Sequence, residues 1–321
     1  MKTLTNRLLT AVLTVTAIAT TLAACATSDG SDANTLTVAF VVDPSWAQIP
    51  VAQQDGLFEK HGVHVKVVNF PSGVEALQAL AAHQVDVATA ADVPAAATLT
   101  RSPSLRVVAD GSRWQGSRIV ARRSAGITSL ESLAGRSIGT PLGTSAAYFA
   151  AKALSDKGIE ADLVQVAPQA TLTAATQHNV DAVSIFQPYQ AQVIAALGDD
   201  AVQLPGGSYN QHSLYLASDT VVAQKSASLS ALFAALNEAS TALSTHADSA
   251  ISAIAAATQL APDLLQKILP EFDYTIQLRP ELAANLTSLG TWAKAQGKID
   301  QSTQLPNYDS LLVTTFLPHV G

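Results

Sequence analysis

From Leu36 onward, short β-branched runs alternate with Ala- and Leu-rich runs of helical period. TLTVAFV (35–41), HVKVVNF (64–70), VDVATAA (85–91) and LRVVAD (105–110) read as four strands. Between them, Gln53 to Lys60 reads as a short helix closed near Gly62, and Val74 to Ala82 as a helix with Leu77, Leu80 and Ala81 on one face. The pattern then restarts. SRIVARR (117–123) predicts a strand that crosses to a second lobe, SLESLAG (129–135) a short capped helix, RSIGT (136–140) a strand, and Ser145 to Leu154 a helix. DLVQVA (162–167) and VDAVSIF (180–186) predict further strands, and SLYLASD (213–219) one that carries the chain back. Beyond it the chain is almost wholly helical. Leu229, Leu232, Phe233 and Leu236 mark one buried helix face, and 280–296 is a helix with Pro280 in its first turn and Gly297 just past its end. Strand–helix alternation with links this short predicts an α/β fold with mainly parallel sheets flanked by helices.

An internal echo supports two similar lobes. His83-Gln84-Val85-Asp86 and His178-Asn179-Val180-Asp181 each end an Ala-rich helix and begin a strand, and each strand is followed by a proline, Pro94 or Pro188.

Before Leu36 the pattern differs. Lys2 and Arg7 are the only charges ahead of an apolar, Thr-rich run from Leu8 to Leu22, which leads into Leu22-Ala23-Ala24-Cys25. The run is short for a membrane span, which needs about 20 apolar residues. It resembles a bacterial lipoprotein signal, in which cleavage precedes a cysteine that carries a diacylglycerol. That resemblance implies an exported protein anchored through lipid on Cys25 at the outer face of the cell membrane or in the periplasm. Residues 26–34 are small and polar and read as a flexible tether. Cys25 is the only cysteine of the 321 residues, so no disulfide is expected and packing must hold the fold. The chain has 18 basic and 25 acidic residues; without Lys2 and Arg7 the net charge is about −9, which argues against nucleic-acid binding.

Two segments carry the candidate chemistry. In Phe70-Pro71-Ser72-Gly73-Val74-Glu75 a strand ends, a turn follows, and a helix starts at Ser72, with Glu75 placed for a capping box. In Gly139-Thr140-Pro141-Leu142-Gly143-Thr144-Ser145 the same order recurs, with Thr144 or Ser145 opening the helix. Helix N-termini offer unpaired N–H donors and partial positive charge, and in α/β proteins they gather at the carboxyl edge of the sheet, where ligands bind. If the two lobes face each other, both helix ends point into one cleft and clamp a small anion.

At these segments the chain resembles the solute-binding proteins of ABC importers for aliphatic sulfonates, taurine and nitrate. FPSGVEALQALAAHQVDVATAADVP (70–94), ITSLESLAGRSIGTPLGTSAAYFAAKAL (127–154) and VAQQDGLFEKHGVHVKVV (51–68) carry the likeness, with QPY at 187–189. The resemblance implies a two-lobed periplasmic-binding-protein type II fold with two crossovers and a helical C-terminal segment, closing on ligand by a hinge. It divides the chain into a signal (1–24), a lipidated tether (25–34), the first part of lobe 1 (35–118), lobe 2 (119–217), and a return to lobe 1 (218–321). It implies an anion held near Ser72, Gly73, Gly143, Thr144 and Ser145, with Asp92 and Gln187 on the cleft walls. Trp46, Trp114, Tyr148 and Tyr189 are its candidates for packing an organic tail. Gln187 stands where taurine binders carry an acid, which tilts the ligand away from taurine, although Asp43 or Asp92 could supply one. The implied partners are a small anionic solute and the membrane subunits of an ABC permease, with the receptor a monomer and not an enzyme. No cofactor is implied. Taurine, nitrate and thiamine-pyrimidine precursors are the alternative ligands on the same fold.

Other signals are weaker. His61-Gly62-Val63-His64 has a metal-like spacing, but Gly62 breaks the helix that would align the rings. Gly143-Thr144-Ser145-Ala146-Ala147 approaches the elbow of a serine hydrolase, with Ser145 as nucleophile and His212, His246 or His319 as base, but no Gly-rich oxyanion segment accompanies it.

Overall fold

The computed structural model describes residues 34–206, 209–245 and 247–317. The signal, Cys25, most of the tether, His246 and His319 lie outside the described residues.

The first lobe begins with β1 (Thr35–Val41), α1 (Gln48–Gln54), α2 (Leu57–Lys60), β2 (His64–Phe70), α3 (Gly73–Ala81), β3 (Val87–Ala91), α4 (Asp92–Arg101) and β4 (Leu105–Trp114). The chain then crosses to β5 (Ile119–Arg122), β6 (Ser137–Thr140), α5 (Ser145–Ser155), β7 (Asp162–Gln165), α6 (Thr171–Thr176), β8 (Ala182–Ser184), α7 (Tyr189–Leu197) and β9 (Ala201–Leu204). It returns as β10 (Gln211–Ser218) and continues through α8 (Asp219–Gln224), α9 (Ser226–Ser244), α10 (Asp248–Thr258), α11 (Pro262–Ile268), β11 (Phe272–Asp273) and α12 (Glu281–Ala295). Among the described residues no helix is long and apolar enough to cross a membrane.

The two sheets repeat one plan. The first has the order β11-β4-β10-β3-β1-β2, the second β7-β6-β8-β5-β9. In the first, β1 pairs in parallel with β2 and β3, while β10 lies antiparallel between β3 and β4. In the second, β6 pairs in parallel with β7 and β8, while β5 lies antiparallel between β8 and β9. In each sheet most strands point the same way, and the long strand set against them, β10 or β5, is the one arriving from the other lobe. The first sheet also gains the short β11, antiparallel to β4. The return differs from its expected place: β10 already pairs along the first sheet from Gln211, so the chain is back in the first lobe before 217.

The sequence echo has a structural counterpart. His83 and His178 both adopt positive φ, 56° and 61°, and turn the chain from α3 into β3 and from α6 into β8. Few non-glycine residues do so. The aspartate three residues on makes the same pair of bonds in each lobe. Asp86 accepts from Thr37 N at 2.7 Å and donates its own N–H to Thr37 O; Asp181 accepts from Ser137 N at 2.9 Å and donates to Ser137 O. Pro94 and Pro188 stand at the openings of α4 and α7, where a missing N–H costs nothing. For that reason the prolines did not mark loops, and α4 starts directly at Asp92.

Most expected elements occur within a few residues of their predicted bounds. The segment 129–135 forms only a 3-10 turn at Glu131–Leu133. There Ser132 Oγ donates to Ser129 O and accepts from the backbone N–H groups of Thr128 and Ser129, a local alternative to a helix start. β3 is buried along its whole length, and α9 buries Leu229, Leu232, Phe233 and Leu236, the predicted stripe.

Candidate functional site

The carboxyl ends of β1, β2, β3, β6 and β8 deliver their following segments to one cleft between the lobes. Its lining includes Asp43 and Trp46 after β1, Gly73 at the start of α3, Thr144 and Ser145 at the start of α5, and Gln211 at the head of β10. Phe186, Val41, Ala91 and Pro94 complete it. The enclosed space is about 20 Å³, room for about one water. The lobes are therefore closed against each other, and a solute reaches this site only when they part.

Two predicted helix ends meet here. Ser72 is extended (φ −155°, ψ 155°) and accepts from Glu75 N at 3.4 Å, so the first turn of α3 is capped as the sequence implied. Gly73 lies against β3: a Cβ there would sit 2.9 Å from both Cα and Cβ of Ala90. Thr144 does not cap α5. Its hydroxyl donates back to Pro141 O at 2.7 Å, and Gly143, with φ 85°, makes the turn that permits it. α5 consequently has no side-chain cap, and its leading N–H groups open on the cleft.

The floor carries unpaired polar atoms. Trp46 Nε1 and Gln211 Oε1 are buried without a hydrogen-bond partner, and both residues, each 2% exposed, line the cleft. Buried polar atoms are nearly always paired, so a donor and an acceptor left open in one cavity mark a place for a bound group. Asp43 is the only ionisable side chain of the lining. It accepts from Ser45 N at 2.7 Å, yet burial outweighs the Ser45 bonds and pushes its carboxyl up to about 7.

Asp92 and Tyr209 form a buried bridge behind the cleft. Asp92 accepts from Tyr209 Oη at 2.5 Å, from Asn285 Nδ2 at 3.0 Å and from His212 N at 3.3 Å. Burial raises its pKa, against the opposing pull of the His212 charge and of these bonds. Tyr209 also pairs with Ser145, so one hydroxyl on the second crossover joins a first-lobe helix to a second-lobe helix. Tyr148 of α5 meets Tyr209 and Trp292 of α12 edge-on, both at 5.0 Å, and seals the lobes together.

The expected site residues thus divide. Trp46, Gly73, Thr144 and Ser145 line the cleft, and Ser72 and Gly143 shape the helix starts beside it. Asp92 belongs to the buried bridge and not to the wall. Gln187 turns its Oε1 to the N–H of Ala191 at 3.1 Å, capping α7. Tyr189 is half-buried against Phe186, 6.1 Å between rings, and its phenol is pushed up by burial and then by the charges of Asp43 and Glu75 across the cleft. Trp114 is a correction: at the end of β4 it stacks on Phe272 at 5.7 Å and donates to Glu271 at 3.0 Å, which makes it core. Gln211 and Tyr209 escaped the sequence reading, since neither sits in a turn motif. Ser145 pairs with tyrosine, while the His212 ring goes to Asp110 at 2.8 Å, so the hydrolase constellation is not assembled from them. His61 of the metal-like spacing is taken by Glu238 at 2.9 Å.

Comparison with known proteins agrees with this architecture. The alkanesulfonate-binding protein SsuA of Xanthomonas axonopodis pv. citri, bound to MOPS, superposes with a TM-score of 0.75 at 17% identity, over 88% of this chain and 99% of that one. The aliphatic sulphonate binding protein SsuA of Escherichia coli gives 0.74 at 20% identity, over 87% and 97%. The fold is therefore the two-lobed one of periplasmic binding proteins. In sequence, the "Putative binding protein" of Brucella abortus (strain 2308) is 28% identical over 198 residues, 59% of this chain. The match spans 60% of that relative's length. The model of a family described as NMT1/THI5 like matches residues 43–250, well over half of the chain, and the chain belongs to that NMT1/THI5-like family.

Proposed function

We propose that this chain is the solute-binding component of an ABC importer, exported and held at the membrane by lipid on Cys25, and that it delivers a small solute to a permease. In this reading it is a monomeric receptor and not a catalyst. The observation that carries it is the convergence, in one interlobe cavity, of the uncapped N-terminus of α5 with the unpartnered Trp46 Nε1 and Gln211 Oε1. An aliphatic sulfonate fits this set: its oxygens accept from the helix N–H groups and from the indole, and closure of the lobes excludes water around it. Below pH 7 the Asp43 carboxyl is largely protonated and can add a further donor.

Asp43 favours a second reading. A buried carboxyl with no cationic neighbour in the lining suits a ligand nitrogen, as in taurine or a thiamine-pyrimidine precursor, whose ring Trp46 would cover. This reading also weakens the case against taurine that Gln187 suggested, since Asp43 can supply the acid.

Calorimetry with alkanesulfonates, taurine, nitrate and an aminopyrimidine thiamine precursor tests both. Binding of a simple sulfonate that survives or improves in Asp43→Asn supports the first reading; binding of a nitrogenous ligand that Asp43→Asn abolishes supports the second. No binding across the panel would overturn the proposal.

A further inference from the structure

A second cavity, of about 570 Å³, lies at the hinge, within the range of about 300–1,000 Å³ typical of small-molecule sites. Both crossovers contribute to its wall, Gln115 and Arg118 from the first and Asn210 from the second, with His212 of β10 and Arg113 of β4 beside them. The segment before α12 supplies Glu271, Asp273, Gln277 and Arg279.

The charges around it are unevenly committed. Its two carboxylates are occupied. Asp273 pairs with Arg113 at 2.8 Å and accepts from Thr275 N, and Glu271 accepts from Trp114 Nε1 at 3.0 Å. Arg113 is used up by Asp273, Asp110 and Thr275 O. The other cations are less fully held. Arg279 is exposed, and its side chain has no hydrogen-bond or ion-pair partner among the described residues. Arg118 spends one terminal nitrogen on the carbonyls of Gln115 and Ser117, and holds the other 3.9 Å from Glu271. His212 uses Nδ1 on Asp110, which leaves Nε2 open. The amides of Gln115 and Asn210 add unpartnered donors. Arg113 and Arg118 thus face Asp110, Asp273 and Glu271 as ion-pair partners, and the cation of the lining that no carboxylate among the described residues holds is Arg279.

We infer that the hinge cavity is a second ligand site, distinct from the cleft, and that it takes a dissolved small molecule bearing a phosphate- or sulfate-type oxyanion, held by Arg118 and Arg279. Guanidinium groups present planar paired donors to such oxygens, and His212 Nε2 and the amides complete the shell. A bound oxyanion would touch both crossovers at once.

Calorimetric titration of the whole protein with inorganic pyrophosphate at low ionic strength tests this. The expected result is binding at one site, weakened about tenfold or more by each of Arg118→Gln and Arg279→Gln. The exposed Arg279 side chain makes no hydrogen bond or ion pair among the described residues, so Arg279→Gln should keep the native melting temperature and report on binding alone. At pH 8, where the Asp43 carboxyl is ionised, Asp43→Asn removes a negative charge from the cleft and should leave pyrophosphate affinity at the hinge unchanged. Absence of binding, indifference to both arginine substitutions, or tighter binding in Asp43→Asn, which would put the ion in the cleft, each overturns the inference. Vesicles of anionic phospholipid serve as the second arm: capture by vesicles without any binding of pyrophosphate would assign the cavity to a lipid headgroup and overturn the dissolved ligand.

Discussion

Tyr209 donates a 2.5 Å hydrogen bond to Asp92, and through that bond the second crossover is pinned to the first lobe at the point where it also reaches Ser145 of the second. Replacing Tyr209 with Phe keeps the ring against Tyr148 but removes the hydroxyl from a buried carboxylate. We expect Tyr209→Phe to lower stability by about 1–3 kcal/mol in urea unfolding, because a buried acceptor loses its partner. Unchanged stability would mean that Asn285 and the His212 N–H satisfy Asp92 by themselves.

Asp43 should impose a pH dependence of definite sign. Its folded pKa, about 7, lies above the ordinary aspartate value of 3.8, so the folded state holds the proton more tightly than the unfolded state. Its contribution is most favourable below about pH 4 and is lost as pH rises to 7. Asp43→Asn should therefore be more stable than the native protein at pH 8, on the order of 4 kcal/mol, and equal to it at pH 4. Asp92 is shifted in the same direction, so some decline with pH should remain in the variant. Urea midpoints at pH 4 and pH 8 decide it.

The paired histidines give a test of the lobes' equivalence. His83 and His178 are exposed, and both hold left-handed backbone. Glycine at either position relieves a conformational cost of about 1–2 kcal/mol, offset in part by its greater freedom in the unfolded chain. We expect His83→Gly and His178→Gly each to raise stability by up to about 1 kcal/mol, measured by thermal or urea unfolding. Destabilisation by either would show that its side chain contributes more than its backbone costs.

Gly73 tests how tightly α3 is seated. The added methyl of Gly73→Ala meets Ala90 at 2.9 Å, in backbone and side chain alike, so the helix start must move away from β3. The expected cost is about 1–3 kcal/mol, with weaker binding of any cleft ligand, seen by calorimetry on the folded variant.

The two helix starts were legible because their chemistry is local. A strand end, a Pro or Gly turn and a hydroxyl residue are neighbours in sequence, and Ser72 and Ser145 follow from that order. The roles of Asp92, Gln187 and Trp114 were not legible, because nothing local says whether a residue at a strand end faces the cleft, caps the next helix or enters the core. Trp46 follows β1 and Trp114 ends β4, both at strand ends of the first sheet; only the packing of β11 and Phe272 beside Trp114 separates a core residue from a cleft residue.

The chain's own pattern was enough for two α/β lobes of similar build, since hydrophobic period, turn residues and the repeated His-x-Val-Asp act within a few residues of one another. The site came from elsewhere. Asp43, Trp46, Ser145 and Gln211 lie far apart in sequence, and their meeting depends on the two crossovers folding the lobes together. Burial then does what no motif can specify: it lifts Asp43 to about 7 and leaves the indole of Trp46 and the amide of Gln211 unpaired in the closed cleft.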